Sequence, residues 1–328
     1  MQECFNPDGL VLAASYAQTM EQDVFPYLKA RQKDTNVSGY NQKPLFCSQF
    51  TADQPRGTVL IIHGFTENAY KFSELIYSLL QNQFDVVAYD QRGHGRSWRD
   101  GKIQDFSLTH VDHFRDYERD MEIIVDTVLS KLPKPWLLFS HSMGGAVSGL
   151  YLEDHPEVFS RAAFCAPMIQ ANMAGMSPAV VKLLCHAAKL FGQSRKRVFV
   201  SKPYTEKEVF EASCAMGRER FDWYENLRFS RKEFQNNGPS YAWTLESVRV
   251  TDMLLAAGAP EKIACPVRLY TAELDNTVLP EAQEKFISRI KNGSHQLVKG
   301  AKHEIYRSAD DVLFPWWHDV LDFLKGNE

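Results

Sequence analysis

The sequence predicts an α/β fold, in which a mostly parallel central sheet is flanked by helices and carries a helical insertion. Short apolar runs recur along the chain, and nearly continuous runs of this kind are typical of parallel strands buried on both faces. Amphipathic helical patterns separate these runs, as in chains that alternate strand and helix. The alternation stops after Pro167 and resumes near residue 251, which indicates the insertion.

The predicted strands are six runs of aliphatic, β-branched or aromatic residues, each followed by a turn or a helical pattern. They span residues 58–64, 85–90, 136–140, 161–167, 267–273 and 295–300. Apolar residues recur at spacings of three and four in residues 70–82, 114–131 and 143–154, which predicts helices. We therefore expect residues 1–166 and 251–328 to form the core domain and residues 167–250 to form a helical cap.

Composition and charge narrow the functional classes. The chain has 328 residues, of which 44% are hydrophobic and 24% charged, as is usual in globular proteins. Its net charge of −4 gives no general reason to expect a nucleic-acid partner. Residues 182–235 carry 12 Lys and Arg against 7 Asp and Glu, a net +5. A solvated helical face or a surface for an anionic substrate would both produce this pattern.

Cysteine usage and hydropathy indicate the compartment. The six cysteines show no CxxC spacing, so they suggest reduced thiols rather than a zinc site or a disulfide framework. The N-terminal stretch has acidic residues before a short apolar run and does not resemble a signal peptide. The longest uncharged window, residues 162–181, is interrupted by two prolines. We expect a cytoplasmic protein whose contact with the inner membrane, if it makes one, is peripheral.

The stretch SHSMG at residues 140–144 lies between a predicted strand and a predicted helix. Small residues two positions before and after Ser142 permit the sharp strand-to-helix turn of a nucleophile elbow. The following helix would direct its first N–H groups towards Ser142 and favour negative charge there. A tight packing turn without chemistry is the alternative interpretation.

A serine nucleophile needs a base, and the base needs an orienting carboxylate. In α/β hydrolases both residues follow the serine in the chain, each just after a later strand. Asp275 and His303 meet this condition, because they follow the last two predicted strands. Glu273 is a second candidate for the acid, although it lies inside its strand run. We expect Ser142, Asp275 and His303 to meet at the carboxyl edge of the sheet.

The oxyanion hole of such an enzyme takes one N–H from the residue after the nucleophile and one from a loop after an earlier strand. These groups would be the backbone N–H of Met143 and that of Phe65. His63 precedes Phe65 at the predicted strand end. We expect His63 to hold the loop by hydrogen bonds rather than to act as a catalytic base.

Together, these stretches resemble α/β hydrolases of the monoacylglycerol lipase and lysophospholipase branch. The motifs are HGFTEN (63–68), YDQRGHGRS (89–97), SHSMGG (140–145), ELDNTV (273–278) and KH (302–303). The stretch NNGPSYAWTLES (236–247) is similar to that of bacterial, PldB-like lysophospholipases. The resemblance implies an α/β-hydrolase fold, a Ser142, Asp275 and His303 triad, and a cap that bounds an acyl pocket.

The predicted function is therefore serine ester hydrolysis without a cofactor, with a lysophospholipid as the lipid-like ester substrate. Met168, Met173 and Met176 stand where the cap begins, and methionine packs adaptably against flexible acyl chains. Ordinary packing inside the cap is the other interpretation of these residues. The cap could also make the peripheral membrane contact, particularly if its basic segment faces the pocket mouth.

Other functions remain open at this stage. A monoacylglycerol lipase, or a capped serine hydrolase of small esters, amides or carbon–carbon bonds, would share the same motifs. An inactive α/β-hydrolase that serves as a binding protein is the alternative from a different class, whereas an epoxide hydrolase or dehalogenase would need Asp in place of Ser142.

Two further motifs suggest other ligands only weakly. RGHGRS lacks the third glycine of a dinucleotide fingerprint, so we expect a turn held by Asp90 and Arg92, and no NAD. His110 and His113 have no further Cys or His nearby to complete a metal site.

Overall fold

Eight strands form one mixed sheet in the computed structural model, which describes residues 4–327. The predicted core domain and the N-terminal pattern also include residues 1–3 and 328, which lie outside the described residues. The strands are β1 (Gln32–Ser38), β2 (Pro44–Phe50), β3 (Thr58–Ile62), β4 (Asp85–Tyr89), β5 (Trp136–His141), β6 (Arg161–Cys165), β7 (Val267–Ala272) and β8 (Gly293–Val298). Their order is β1-β2-β4-β3-β5-β6-β7-β8.

The sheet is parallel except at one edge. Strands β3 to β8 pair in parallel, while β2 pairs antiparallel with both β1 and β4. The six predicted strands correspond to β3 to β8, and the α/β prediction is confirmed. Strands β1 and β2 were not predicted. The sequence of β1, QKDTNVS, has one aliphatic residue because this edge strand has a single neighbour and largely exposed side chains.

Helices cover both faces of the sheet. They are α1 (Tyr16–Thr19), α2 (Phe25–Arg31), α3 (Ser73–Gln81), α4 (Arg115–Thr127), α5 (Met143–Asp154), α6 (Pro178–Leu190), α7 (Arg218–Ser230), α8 (Tyr241–Leu254), α9 (Pro280–Ile287) and α10 (Asp310–Lys325). The three predicted helices correspond to α3, α4 and α5. One apolar core packs beneath α3 and α10, and a second packs beneath α4, α5 and α9.

The chain between β6 and β7 holds α6, α7 and α8. Serine residues begin two of these helices: the Ser177 hydroxyl accepts a hydrogen bond from the N–H of Val180, and that of Ser240 accepts one from Trp243. Helices α6 and α8 pack against each other through a small separate apolar cluster. None of the helices within residues 4–327 combines the length and the apolar character needed to cross a membrane.

A buried arginine joins α7 to the rest of the protein. The Arg220 side chain is 1% exposed and donates to the carboxylate of Glu74 in α3, at 2.9 and 3.0 Å. It also donates to Asp310 at 2.7 Å and to the carbonyl oxygen of Val11 at 2.6 Å. One side chain therefore links α7, α3, the N-terminal segment and the start of α10.

Candidate active site

Ser142 occupies the turn between β5 and α5, with φ +50° and ψ −119°. A non-glycine residue at positive φ is uncommon and costs about 1–3 kcal/mol, which the surrounding structure must supply. The turn also requires a glycine at position 144, because α5 packs closely against β3. A Cβ atom added to Gly144 would lie 2.2 Å from the carbonyl oxygen of Ile62. The turn therefore has the strained geometry of a nucleophile elbow.

The structure brings together the three residues predicted as a triad. The Oγ atom of Ser142 lies 2.8 Å from Nε2 of His303, and Nδ1 of His303 lies 2.6 Å from Oδ2 of Asp275. Asp275 follows β7 and His303 follows β8, so both stand at the carboxyl edge of the sheet. Glu273, the second candidate acid, instead accepts a hydrogen bond from the N–H of Gly300 at 2.8 Å.

The carboxylate of Asp275 is held in its ionised form. Burial raises the pKa of Asp275, but the hydrogen bond and charge of His303 outweigh burial and lower the pKa below its usual value. The N–H groups of Thr277 and Val278 donate to its other oxygen at 2.8 and 3.2 Å and act in the same direction. Asp275 can therefore orient the imidazole of His303 with Nδ1 as the donor.

The two predicted oxyanion donors follow the ends of β5 and β3 in the chain. Met143 is the first residue of α5, and the N–H groups in the first turn of a helix have no acceptor within the helix. Phe65 follows β3, and its ring centroid lies 4.0 Å from that of Trp243. Both residues are adjacent to the strand ends that carry the candidate site.

His63 holds the loop that carries Phe65, as predicted. Its Nδ1 atom donates to the carbonyl oxygen of Gly64 at 2.7 Å, and its Nε2 atom accepts from the N–H of Gln91 at 2.8 Å. Burial lowers the pKa of His63, so the ring is neutral, as this donor and acceptor pair requires.

An apolar cavity of about 300 Å³ opens beside Ser142. Its walls include the three methionines predicted to contact an acyl chain, Met168, Met173 and Met176. Most of the lining comes from residues 168–200 and 239–247, and Phe65 also lines the cavity. None of the described residues that line it is charged. A hydrocarbon chain would find no desolvated charge there.

The basic segment, residues 182–235, contains two kinds of positively charged side chain, which are paired and unpaired with acids. Its arginines mostly pair with acids: Arg195 lies 2.6 Å from Asp100, and Arg197 lies 2.7 Å from Asp105. These pairs fasten the segment to the core, so much of its positive charge is compensated. Three exposed lysines, Lys189, Lys196 and Lys202, make no ion pair with any residue in the range 4–327.

The loop of the RGHGRS motif is held by both predicted residues, but they do not pair with each other. Arg92 donates to the carboxylate of Asp120 at 2.6 and 2.7 Å, and Asp90 accepts from the N–H groups of Ala69 and Arg96. His110, from the weak metal motif, lies 2.9 Å from the Ser240 hydroxyl.

A buried ionic cluster behind Ser142 was not predicted. The Glu67 side chain is 3% exposed and contacts Lys71 at 2.9 Å and His141 at 2.9 Å. Lys71 also contacts Glu304 at 2.6 Å. The only sequence signal for this cluster among the described residues is the spacing of four between Glu67 and Lys71. Residues at this spacing are neighbours when the chain is helical, so the spacing indicates an ion pair.

Comparisons with known proteins identify the family of this chain. The family model described as "Serine aminopeptidase, S33" matches residues 53–310. The chain belongs to this family. It is a serine ester hydrolase with the α/β-hydrolase fold, of the monoacylglycerol lipase and lysophospholipase branch.

Relatives of this family member cover most of its length. The chain is 29% identical to Lysophospholipase L2 of Escherichia coli, with 90% of this chain and 88% of the relative covered. It is 32% identical to the Monoglyceride lipase of Mus musculus, with 86% of each covered. A soluble variant of the Saccharomyces cerevisiae monoglyceride lipase, in complex with a substrate analogue, superposes with a TM-score of 0.70 at 18% identity and covers 90% of this chain and 97% of its own.

Proposed function

We propose that the protein is a lysophospholipase, which cleaves the acyl ester of a single-chain phospholipid through Ser142, His303 and Asp275. The observation that carries the proposal is the position of the Ser142 hydroxyl, 2.8 Å from Nε2 of His303 and on the wall of the apolar cavity. A hydroxyl next to a base is activated for attack on an ester, and the cavity suits a hydrocarbon acyl group. The 29% identity to Lysophospholipase L2 supports the same substrate class.

Acylation is the first half of the reaction. The Ser142 Oγ atom attacks the ester carbonyl carbon while Nε2 of His303 takes the hydroxyl proton. His303 then gives this proton to the departing alcohol oxygen, which leaves the acyl group on Ser142. Asp275 keeps the imidazole in the required orientation and stabilises its positive charge. General base catalysis of this kind contributes about 10²- to 10⁴-fold.

The N–H groups of Phe65 and Met143 would stabilise the oxyanion of each tetrahedral intermediate. Removing one such donor from a serine hydrolase costs about 10²- to 10³-fold in kcat. In deacylation, His303 removes a proton from water, water attacks the acyl carbon, and the fatty acid leaves as Ser142 recovers its proton. No cofactor is needed for either half of the reaction.

Residues 167–250 would form the cap that selects the acyl group. Support for this division comes from the cavity, whose lining is mostly from this segment, whereas the three reacting side chains come from loops of the sheet. A volume of about 300 Å³ is at the small end of the usual range of about 300–1,000 Å³ for ligand sites. It favours a lipid with one acyl chain.

The family description raises aminopeptidase activity as a second candidate. An aminopeptidase must bind the ammonium group of its substrate, and a buried ammonium needs a carboxylate or several acceptors. The cavity lining includes no Asp or Glu among the residues in the range 4–327. Ester hydrolysis is therefore the better match.

The head group would stay near the mouth of the cavity, where the exposed lysines could contact its phosphate. Lys196 and Lys202 lie in the chain on either side of Val198, Phe199 and Val200, which line the cavity. A nearby cation favours a phosphate-bearing head group over an uncharged glycerol. Such a preference would distinguish a lysophospholipase from a monoglyceride lipase. Removing the positive charges of Lys196 and Lys202 tests it.

The cap also exposes apolar side chains that would suit peripheral contact with a membrane. Leu190, Phe191 and Phe199 are 83%, 75% and 71% exposed, and Phe199 also lines the cavity. Exposed apolar patches with interspersed lysines are typical of surfaces that lie on anionic bilayers. We expect Phe191→Ser with Leu190→Ser to reduce sedimentation with phosphatidylglycerol vesicles. Equal sedimentation of variant and wild type would contradict this contact.

The test of the function is a substrate panel. We expect release of fatty acid from lysophosphatidylcholine and lysophosphatidylethanolamine, together with labelling by a fluorophosphonate probe, and loss of both in Ser142→Ala. Turnover of monoacylglycerols or p-nitrophenyl esters alone would reject the lysophospholipase assignment and retain the esterase. Absence of labelling and of all turnover would favour a binding protein.

A matched pair of variants tests the head group. Lys196→Gln with Lys202→Gln should raise KM for lysophospholipids several-fold and leave KM for monoacylglycerol unchanged. Lys33→Gln, an exposed lysine in the edge strand β1, is the control for a general change of charge. The same change in KM for both substrates would remove the lysines from the proposal.

A further inference from the structure

His141, the residue before Ser142, is fully enclosed and lies between two groups that can only accept hydrogen bonds. Its Nδ1 atom is 2.9 Å from the Glu67 carboxylate, and its Nε2 atom is 3.2 Å from the main-chain carbonyl oxygen of His303. The side chain is 2% exposed, so water cannot take the place of either partner. A neutral imidazole has one N–H, whereas these two contacts require two.

Glu67 is ionised in this arrangement. Besides His141, its carboxylate accepts hydrogen bonds from the Gly64 N–H at 2.6 Å, from Lys71 Nζ at 2.9 Å and from the Tyr306 hydroxyl. A protonated carboxyl group could not accept from all four donors. The acceptor facing Nδ1 of His141 is therefore an anion.

These contacts join three of the four chain segments that carry the candidate site. Gly64 precedes Phe65 on the oxyanion loop, His141 precedes Ser142, and Tyr306 follows His303 by three residues. The contact from His141 to the His303 carbonyl is a second link between the nucleophile turn and the loop of the base, besides the one from Ser142 Oγ to His303 Nε2. A displacement of about 1 Å between such groups can cost about 10²-fold in rate.

We propose that His141 is a permanently protonated positioning residue, which holds the loop of His303 against the nucleophile turn with Glu67 as its counter-ion. This proposal rests on the proposed function of Ser142 and His303. His141 acts through His303 and Ser142 and does not itself contact substrate.

The charges around His141 are consistent with a cationic ring. Burial lowers the pKa of His141, but the charge and hydrogen bond of Glu67 outweigh burial and raise the pKa above its usual value, with Glu304 acting in the same direction and Lys71 against it. The ring of His303 lies 4.9 Å away, and those of Tyr306 and Phe72 complete the enclosure.

The kinetic test compares His141→Gln, Glu67→Gln and the double variant with the wild type between pH 6 and 9. We expect His141→Gln to lower kcat for a short p-nitrophenyl ester about 10- to 100-fold, with KM within about threefold. The rate of fluorophosphonate labelling should fall in parallel. His155→Gln, at the far end of α5, is the matched control, because His155 is half-buried and stacks on Tyr151.

The pH profile distinguishes positioning by a charged ring from simple packing. In Glu67→Gln the buried imidazole loses its counter-ion, so burial should lower the pKa of His141 from its raised value in the wild type. Activity of this variant should therefore decline, relative to the wild type, as the pH rises from 6 to 8. The double variant should lack this decline with pH. Its loss of kcat should be no larger than that of the more damaging single variant, because both residues act through one contact.

Nuclear magnetic resonance of the wild type labelled with ¹⁵N-histidine measures the protonation state directly and does not depend on whether any variant folds. We expect one doubly protonated histidine at pH 8, and its resonance should be absent from His141→Gln. A neutral His141 at pH 7.5, or kcat of His141→Gln within twofold of the wild type at every pH, would overturn the proposal. A wild type that neither labels nor turns over esters would reject the proposed function instead, and the resonance of His141 would still decide its charge.

Discussion

Substitution of Gly144 by alanine is expected to separate the two proposed oxyanion donors, the N–H groups of Phe65 and Met143. The added Cβ atom would lie 2.2 Å from the carbonyl oxygen of Ile62 and 2.7 Å from that of His63. Both oxygens belong to the main chain at the end of β3, so no side-chain rotation can relieve the contact. Ordinary contact begins near 3.4 Å, and α5 must therefore move away from β3 by about 1 Å.

The expected loss of kcat follows from the residues that the displaced segments carry. Met143 precedes Gly144, and Phe65 lies two residues after His63, so the movement draws their N–H groups apart. Donors act on an oxyanion at about 2.7–3.1 Å, and the loss of one costs about 10²- to 10³-fold. We expect kcat to fall by about this factor while KM changes little, because the apolar cavity proposed to hold the acyl chain is lined mainly by other segments.

The same substitution should lower stability modestly. Overpacking of this kind costs about 1–3 kcal/mol. Unfolding entropies of about 2.1 cal/mol/K per residue give roughly 0.7 kcal/mol/K for 328 residues, so the melting temperature should fall by about 1–4 °C. A loss of activity much larger than this loss of stability is the distinguishing result.

The assay measures kcat and KM for a short p-nitrophenyl ester, the rate of fluorophosphonate labelling, and the melting temperature. Gly101→Ala is the matched control, because a Cβ atom at Gly101 would meet no atom within 4 Å. A Gly144→Ala enzyme with kcat within threefold of the wild type and an unchanged melting temperature would refute the reasoning.

Three other changes have defined outcomes. Asp275→Asn should lower kcat by about 10⁴-fold in steady-state assays, because the amide favours the wrong tautomer of the base; a loss below tenfold would contradict this role. Arg220→Met leaves a buried carboxylate without its partner and should cost about 3–5 kcal/mol in urea unfolding, whereas Arg218→Met, at an exposed site, should be nearly neutral. Burial raises the pKa of Glu304, but Lys71 and a neighbouring arginine outweigh burial and hold the pKa at about 2. The stability from this depressed pKa is present above about pH 4.5 and is lost as the pH falls towards 2, so Glu304→Gln should show a shallower loss of melting temperature over that range.

The central strands could be predicted from the sequence because they are buried on both faces. A strand such as β3, TVLII, must be apolar throughout, and its pattern does not depend on the rest of the fold. The edge pair β1 and β2 lacks this constraint. The residues of β1 alternate little in hydropathy, and the strand is defined by its hydrogen bonds to β2, which no local pattern contains.

The candidate site shows the same division. Ser142, Asp275 and His303 could be predicted because each follows a strand in a fixed chain order. The roles proposed for Glu67 and His141 could not be predicted, since they depend on a contact between residues 74 positions apart in the chain. A buried charge is recognisable only when its partners are known, and tertiary structure supplies those partners.

The division of the cavity has a consequence for how selectivity can change. The proposed triad residues belong to loops of the sheet, whereas most of the wall of the cavity proposed to hold the acyl chain belongs to residues 168–200 and 239–247. Replacing the segment between β6 and β7 by that of a relative would therefore exchange chain-length preference while leaving reactivity towards a small fluorophosphonate intact. Such a chimaera would need Asp100 and Asp105 matched to its new segment, because both pair with arginines that the exchange removes. On the proposed function, selectivity could thus be changed separately from chemistry, provided that Asp100 and Asp105 are changed together with the segment.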